Sequence, residues 1–493
     1  MEVRRKTNFD PATINRVNIT SYYLPLFFVF LNFVIKGLFL DSNSLGGDEP
    51  FSVYHSQQSL SNLVEIFQNE NNPPLHFVIL HYWINLFGIS EISVRIPSLI
   101  FSSLTVLFIY KIGWRFFHLR VAIIASILFT FSTYQVIFAH EARAYALMGL
   151  LTAASMFYFM KIIISKDRSK RTLFWFFLVN TLLIYTHFFG FFVLFIQFFF
   201  VLLQRDLLKE YYRFLILFVG VLLLAYSPYM WIILNRFTSS AQGGTWLTPP
   251  SGMNALYEML RAFSNAPVTA VFTIAVMVIG TVFLLLKRKQ NPNRIATRLI
   301  LCWFYIPFIF IFFISFWIPM FLDRYLMFVS IGFSLLVALC ADFIIQKPKI
   351  QILIPAFICL LFVVTVKPNK TNKREVRETV QLVELLEKEN DSTLVLVAPV
   401  HFSLNFLYYY DRTLFRESNK EVIQNKLSEK DVYCINSLDQ VDYKSRKHIV
   451  LVDAASNFSA PNNNILNTLN IEFNQTSKQH IEEIFDIYEF ERK

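Results

Sequence analysis

The stretch Pro73-Pro74-Leu-His76-Phe-Val-Ile-Leu-His-Tyr-Trp-Ile-Asn-Leu-Phe-Gly88 decides how the whole chain is threaded. It is apolar but only about 16 residues long, short of the ~20 that cross a bilayer as a helix. Polar residues bound it on both sides, Asn71 and Asn72 before it and Glu91 after it. If it crossed, Lys111, Arg115 and Arg120 would fall opposite Arg4, Arg5, Lys6 and Arg16, and every later loop would invert. Lys and Arg gather on the cytoplasmic side of membrane proteins. The stretch therefore reads as a re-entrant or interfacial helix against the outer leaflet, and Pro73 and Pro74 suit its first turn.

On either side of it the chain is dominated by apolar runs. Of its 493 residues 55% are hydrophobic, 55 of them Phe, and only 16% are charged, against roughly 25% in an ordinary soluble domain. A chain this apolar has too little polar surface to be soluble as a whole. Basic clusters recur at Lys111/Arg115/Arg120, Lys161–Arg171, Arg205/Lys209/Arg213, Lys287–Arg298 and Lys347/Lys349, with two apolar runs between each cluster and the next. The segment from Asp41 to Asn72 holds no Lys or Arg at all. This alternation predicts about eleven spans, over residues 22–40, 93–115, 120–138, 143–163, 172–187, 189–204, 214–234, 267–286, 298–318, 322–345 and 350–366.

The expected organisation follows. Residues 1–20 form a cytoplasmic arm before a retained anchor, residues 21–366 a transmembrane domain, and residues 367–493 an extracytoplasmic α/β domain, in a multi-pass protein of the cell (inner) membrane. Residues 41–92 are the first outer loop, with interfacial helices; Phe51, Tyr54, Leu63, Ile66 and Phe67 give one an apolar face. In the tail, Arg374–Glu389 is a helix candidate, with Val376, Val380, Val383 and Leu386 in step, and Thr393–Val397 and His448–Val452 read as strands. Lys36, near the outer end of the first span, is an exception to the charge pattern that its long stem accommodates by snorkelling.

The net charge of +10 sits in short loops between apolar runs, which excludes a nucleic-acid footprint gathered on one face. The four cysteines show no Cys/His spacing suited to zinc or a disulfide framework. No Asp-x-Asp occurs, so the metal motif of nucleotide-sugar enzymes is missing, and no metal or other cofactor is expected.

The polar motifs lie at the expected outer ends of spans. Leu45-Gly-Gly-Asp48-Glu49-Pro follows the first span; its glycines permit a tight turn presenting two carboxylates at the membrane surface. An acid beside the apolar phase suits a general base, because low dielectric raises its pKa toward the working pH. The plain alternative is a helix N-terminus, where acids are favoured anyway. Phe138-Ala-His140-Glu141-Ala-Arg143-Ala-Tyr145 opens the fourth span, where charges cost least if they face a cavity or one another. Phe321-Leu-Asp323-Arg324-Tyr325 stands at the mouth of the tenth, and a guanidinium matches phosphate by its planar fork; the alternative is an Asp323–Arg324 surface pair. His76 lies in the first turn of the short helix, whose amides suit a phosphate oxygen. The loop 235–266 offers Trp246 and Tyr257 to a sugar or to the bilayer surface.

Gly-Gly-Asp48-Glu49, Asn-Pro-Pro-Leu75, Glu141-Ala-Arg-x-Tyr-Ala-Leu147 and Arg324-Tyr-Leu, in this order over about residues 20–345, resemble the bacterial glycosyltransferase 39-like proteins of the GT-C superfamily, with the protein O-mannosyltransferases and the lipid A aminoarabinose transferases. The resemblance implies a membrane helix bundle that moves a hexose or pentose from a polyprenyl-phosphate-linked sugar to an acceptor of unknown kind, with inversion. It also implies Asp48 as the base with Glu49 beside it, and Arg143 and Arg324 on the lipid phosphate. His76, Glu141, Tyr145 and Tyr325 complete the candidate substrate-binding set. Asn72 stands where some relatives carry a further basic residue. The rival readings are a lipid-linked oligosaccharide transporter or flippase, for which no internal repeat speaks, and a polymerase or ligase using pyrophosphate-linked donors.

Overall fold

In a computed structural model, the structure describes residues 19–63, 73–240, 248–286, 293–370, 375–390, 392–456, 464–481 and 485–493. Several sequence expectations fall wholly or partly outside them: the N-terminal arm, Ile66 and Phe67, Asn71 and Asn72, Trp246, and the start of the Lys287–Arg298 cluster. The chain forms two compact units, one from Met1–Phe39, Val64–His76 and Arg95–Lys370, the other from Leu40–Leu63, Phe77–Val94 and Thr371–Lys493.

The first unit is helical, and a helix stands at each of the eleven expected spans. Among the described residues, seven helices are long and apolar enough to cross a membrane: Ile19–Gly37, Glu91–Phe116, Tyr145–Ile163, Arg205–Ile232, Pro267–Leu286, Arg294–Ile314 and Asp323–Ile344. A bent pair, Leu119–Thr130 and Thr133–Ala139, makes an eighth. Lys170–Ile184, Gly190–Leu202 and Leu353–Thr365 are shorter, at 15, 13 and 13 residues. Basic loop residues are knitted together by acids: Lys161 meets Asp167 at 2.8 Å, Lys166 and Arg168 both reach Glu210, and Arg120 and His118 hold Asp342 at 2.8 and 2.9 Å.

Two features depart from the sequence reading. The third expected span, 120–138, is not straight; it bends by 60° at Phe131–Ser132. A bend frees backbone groups that hydrocarbon cannot satisfy. Asn265, in the left-handed region at φ 68°, answers them. Its side chain accepts from the Thr133 amide at 2.6 Å and donates to the carbonyls of Phe131 at 2.8 Å and Phe362 at 3.2 Å. Lys36, for its part, does not snorkel. It is fully buried, with Nζ 3.0 Å from the Ser102 hydroxyl and 4.0 Å from the centre of the Phe129 ring. A partner inside the bundle replaces the route to water.

In the second unit a five-stranded sheet has the order β2-β1-β3-β5-β4, with β1 Thr393–Ala398, β2 Val432–Cys434, β3 His448–Ala454, β4 Phe473–Ile481 and β5 Phe485–Arg492. β1 runs parallel to β2 and β3, while β5 is antiparallel to β3 and to β4. Every residue of β1 and β3 is buried, as expected of parallel strands covered on both faces. The expected strands fall on β1 and β3, and Val376, Val380, Val383 and Leu386 form the buried stripe of the helix Val376–Glu389. The outer part of the first loop belongs to this unit: Tyr408 Oη donates to the carbonyl of Ile89 at 2.7 Å, and Tyr54 packs edge-on against Phe415.

Replacing Asn265 by Leu should orphan two backbone groups at the bend, the Thr133 amide and the Phe131 carbonyl, at a cost of about 1–3 kcal/mol for each that stays buried. Thermal unfolding in detergent checks this: Asn265→Leu should melt well below wild type, and Asn265→Asp, which keeps the acceptor, should fall between them.

Candidate functional site: an acidic turn and a cluster of arginines and histidines

The acidic pair lies in the second unit, where the chain turns from Asp41 into the helix Glu49–Ser56. Gly47 takes φ +59°, a left-handed conformation open to glycine without strain. The Glu49 amide donates to the Gly46 carbonyl at 3.2 Å, and the Glu49 carboxylate accepts from the Gly46 amide at 3.4 Å. The two acids are thereby sorted. Glu49 is 1% exposed and bound to its own turn, while Asp48, at the N-cap position, is exposed. The burial that the sequence reading assigned to the base is found at Glu49, because Gly47 and Asp48 form the outer corner of the turn. The helix ahead of them is short, running only to Ser56, with Tyr54 buried and Phe51 half-buried.

The first unit gathers a second set of residues, all at breaks between helices. Glu141–Ala144 form the turn between Thr133–Ala139 and Tyr145–Ile163. The Arg143 amide closes on the Glu141 carbonyl at 2.8 Å, and the Ser98 hydroxyl donates to that same carbonyl at 2.5 Å. Arg143 is 8% exposed, and Tyr145 is buried. His140 reaches back to the carbonyl of Lys36 at 2.6 Å through Nε2, which must carry the proton because a carbonyl only accepts. The Asp323 carboxylate accepts from the Arg324 amide at 2.7 Å, and its carbonyl accepts from Tyr134 at 2.5 Å. The half-buried Arg324 guanidinium lies over the Tyr325 ring, 5.7 Å from its centre.

Rings join these turns. Tyr145 lies 5.9 Å from His187, His187 lies 5.8 Å from Tyr325, and Tyr325 stacks on Phe189 at 4.8 Å. His187, in the turn between Lys170–Ile184 and Gly190–Leu202, is the member that sequence reasoning missed. A lone histidine in a lysine-free turn was its only signal. Gly190 closes that turn tightly; a Cβ there would stand 2.8 Å from the Leu183 carbonyl oxygen. The same turn holds the start of the short helix, whose Leu75 amide donates to the Tyr185 carbonyl at 3.0 Å.

The histidines are kept neutral. Burial first, then the Arg143 guanidinium, pushes His76 down to about 3. Burial, then Arg143 and Arg324, does the same to His187, also down to about 3. Because the Phe189 amide donates to Nδ1 of His187 at 3.2 Å, the proton of that ring sits on Nε2. The cluster therefore presents two fixed cations beside neutral imidazole donors, in surroundings where Coulomb forces are weakly screened. Among the described residues no three His, Cys, Asp or Glu side chains gather as metal ligands would.

Residues 71–231 match the family model described as dolichyl-phosphate-mannose-protein mannosyltransferase. No curated protein matches the chain significantly. The solved structures it resembles include ArnT from Cupriavidus metallidurans in the apo state, at 13% identity and a TM-score of 0.61 over 94% of this chain and 97% of that one. ArnT bound to undecaprenyl phosphate matches at 12% and 0.60 over the same shares. The archaeal oligosaccharyltransferase AglB from Archaeoglobus fulgidus, in complex with an inhibitory peptide and a dolichol-phosphate, matches at 11% and 0.51 over 89% of this chain and 70% of that one.

The neutral histidines carry a testable pH signature. Their folded pKa values lie below the usual 6.5, so between about 6.5 and about 3 the unfolded chain binds protons that the folded one refuses. This contribution to stability is whole above pH 6.5 and is lost as pH falls toward 3. Unfolding midpoints in detergent at pH 7 and pH 4 should differ less in His187→Gln than in wild type; an equal difference would contradict the assignment. The chain is a multi-pass membrane protein with the fold seen in ArnT, and part of it matches the mannosyltransferase family model.

Proposed function

We propose that this protein transfers a sugar from a polyprenyl-phosphate donor to an acceptor outside the cytoplasm, by a single displacement that inverts the anomeric centre. The observation that carries this reading is the gathering of the Arg143 and Arg324 turns around His187, whose ring lies 5.9 Å from Tyr145 and 5.8 Å from Tyr325, with the Arg324 guanidinium over the latter. A phosphate that gains charge as the glycosidic bond breaks needs such preorganised positive charge. Bidentate arginine suits its oxygens better than a lysine would. The ArnT structure bound to undecaprenyl phosphate and the AglB complex with dolichol-phosphate support the lipid class. So does an apolar cavity of about 290 Å³ lined by Phe191, Leu194, Phe195, Phe218, Leu222 and Tyr226, on the helix that follows the His187 turn and its neighbour.

In this mechanism Asp48 accepts the proton of the acceptor hydroxyl. The acceptor oxygen bonds to the anomeric carbon, the bond from that carbon to the phosphate oxygen breaks, and polyprenyl phosphate leaves with its charge held by Arg143 and Arg324. His76 and His187, being neutral, supply hydrogen bonds without competing for the anion. Tyr145 and Tyr325 present ring faces of the kind that sugars stack on, Glu141 shapes the Arg143 turn, and Glu49 fixes the turn that carries Asp48. No metal takes part in this scheme. The short helix Leu75–Phe87 exposes Tyr82, Leu86 and Phe87, the apolar face an interfacial helix needs at the outer leaflet.

Asp48→Asn should lower transfer by about 10²–10⁴-fold, the usual contribution of a general base, with donor binding intact. Arg143→Ala and Arg324→Ala should each raise the donor KM by about tenfold or more, for loss of a charge-assisted contact of about 1.5–3 kcal/mol. Sugar transfer from a synthetic polyprenyl-phosphate donor in proteoliposomes measures both. Undiminished turnover in Asp48→Asn removes Asp48 as the base; unchanged donor KM in both arginine variants removes the phosphate assignment.

A further inference from the structure

We infer that Tyr409, in the C-terminal domain, is the positioning residue of the Asp48 turn, and that Glu91 and Arg377 lock it in place. The inference rests on the reading of Asp48 as the base. It begins with a question of backbone accounting. Leu45 is fully buried and precedes the two glycines, in a segment without regular structure, so its amide needs a partner. That partner is the hydroxyl of Tyr409, on the helix Ser403–Tyr410, which accepts from the Leu45 amide.

A tyrosine hydroxyl that accepts also has one proton to place. Tyr409 gives it to one oxygen of Glu91. The other oxygen of Glu91 takes Arg377 at 2.6 Å, so both carboxylate oxygens are engaged and the hydroxyl rotor has a single orientation. Arg377 also donates to the Asp41 carbonyl at 3.3 Å, and the Ser44 hydroxyl meets the Glu378 carboxylate at 3.3 Å. The turn from Asp41 to Asp48 is thus gripped at three points by side chains of the helices Val376–Glu389 and Ser403–Tyr410. Its own bonds, between Gly46 and Glu49, set the shape of the corner. Those of Tyr409, Arg377 and Glu378 set the place.

A base displaced by about an ångström can lose 10²-fold in rate without any change in substrate affinity. Tyr409→Phe keeps the ring and removes both hydrogen bonds. It should lower kcat by about ten- to a hundredfold, leave the donor KM unchanged, and speed amide exchange in residues 41–48. The control is Tyr410→Phe, which removes a comparable hydroxyl bond to Glu387, 2.9 Å long, within the tail and away from the turn. It should leave kcat, KM and exchange as in wild type. Glu91→Gln, which keeps an oxygen for Tyr409 but weakens the lock by Arg377, should give an intermediate kcat and serves if Tyr409→Phe does not fold. Wild-type exchange and kcat in Tyr409→Phe, or equal losses in the two tyrosine variants, would overturn the inference. Full activity in Asp48→Asn, together with faster exchange of the turn in Tyr409→Phe, would instead remove the base assignment and leave the anchoring intact.

Discussion

Hydrocarbon offers no hydrogen bonds, so every backbone amide and carbonyl within it must find a partner in the protein. That constraint makes the first unit a set of apolar helices, and it confines polar chemistry to the places where helices stop. Most of the candidate residues follow it. Asp48 and Glu49 sit at the turn before Glu49–Ser56, Arg143 between Thr133–Ala139 and Tyr145–Ile163, His187 before Gly190–Leu202, and Arg324 ahead of Met327–Ile344. Where a helix breaks within the bundle, at Phe131–Ser132, Asn265 restores the missing partners.

The same low dielectric governs the electrostatics. Two guanidiniums close to histidines would repel an imidazolium, and burial already disfavours one, so both rings stay neutral. The positive charge of the cluster is then carried by arginine alone. Arginine does not titrate in the accessible range, so the cluster keeps a constant charge across the range in which a free histidine would titrate. In the second unit the carboxylate of Glu91 plays the converse part: it is spent on Tyr409 and Arg377, and holds structure rather than taking part in chemistry.

The periodic features were legible in the sequence. Apolar runs marked the helices, the spacing of Val376, Val380, Val383 and Leu386 marked the tail helix, and the runs at Thr393 and His448 marked two buried strands. The order of four short motifs carried the resemblance to the GT-C proteins. What was hidden depends on contacts between residues far apart in the chain. Nothing near Asn265 announces the bend it patches, more than a hundred residues earlier. Lys36 looked free to snorkel because Ser102 and Phe129 are distant in sequence. His187 joined the cluster through Tyr145 and Tyr325, one on each side of it in the chain. Tyr409 is 364 residues from the amide it binds.

In the proposed reaction the lipid-linked sugar is cleaved at its single phosphate. This is tested most directly by following both halves of a polyprenyl-phosphate sugar, labelled in the lipid and in the sugar, with the purified protein in liposomes. One polyprenyl phosphate should be released for each sugar joined to an acceptor, with the anomeric configuration inverted. Sugar that crosses the bilayer still attached to its lipid, or turnover only with a pyrophosphate-linked donor, would contradict it.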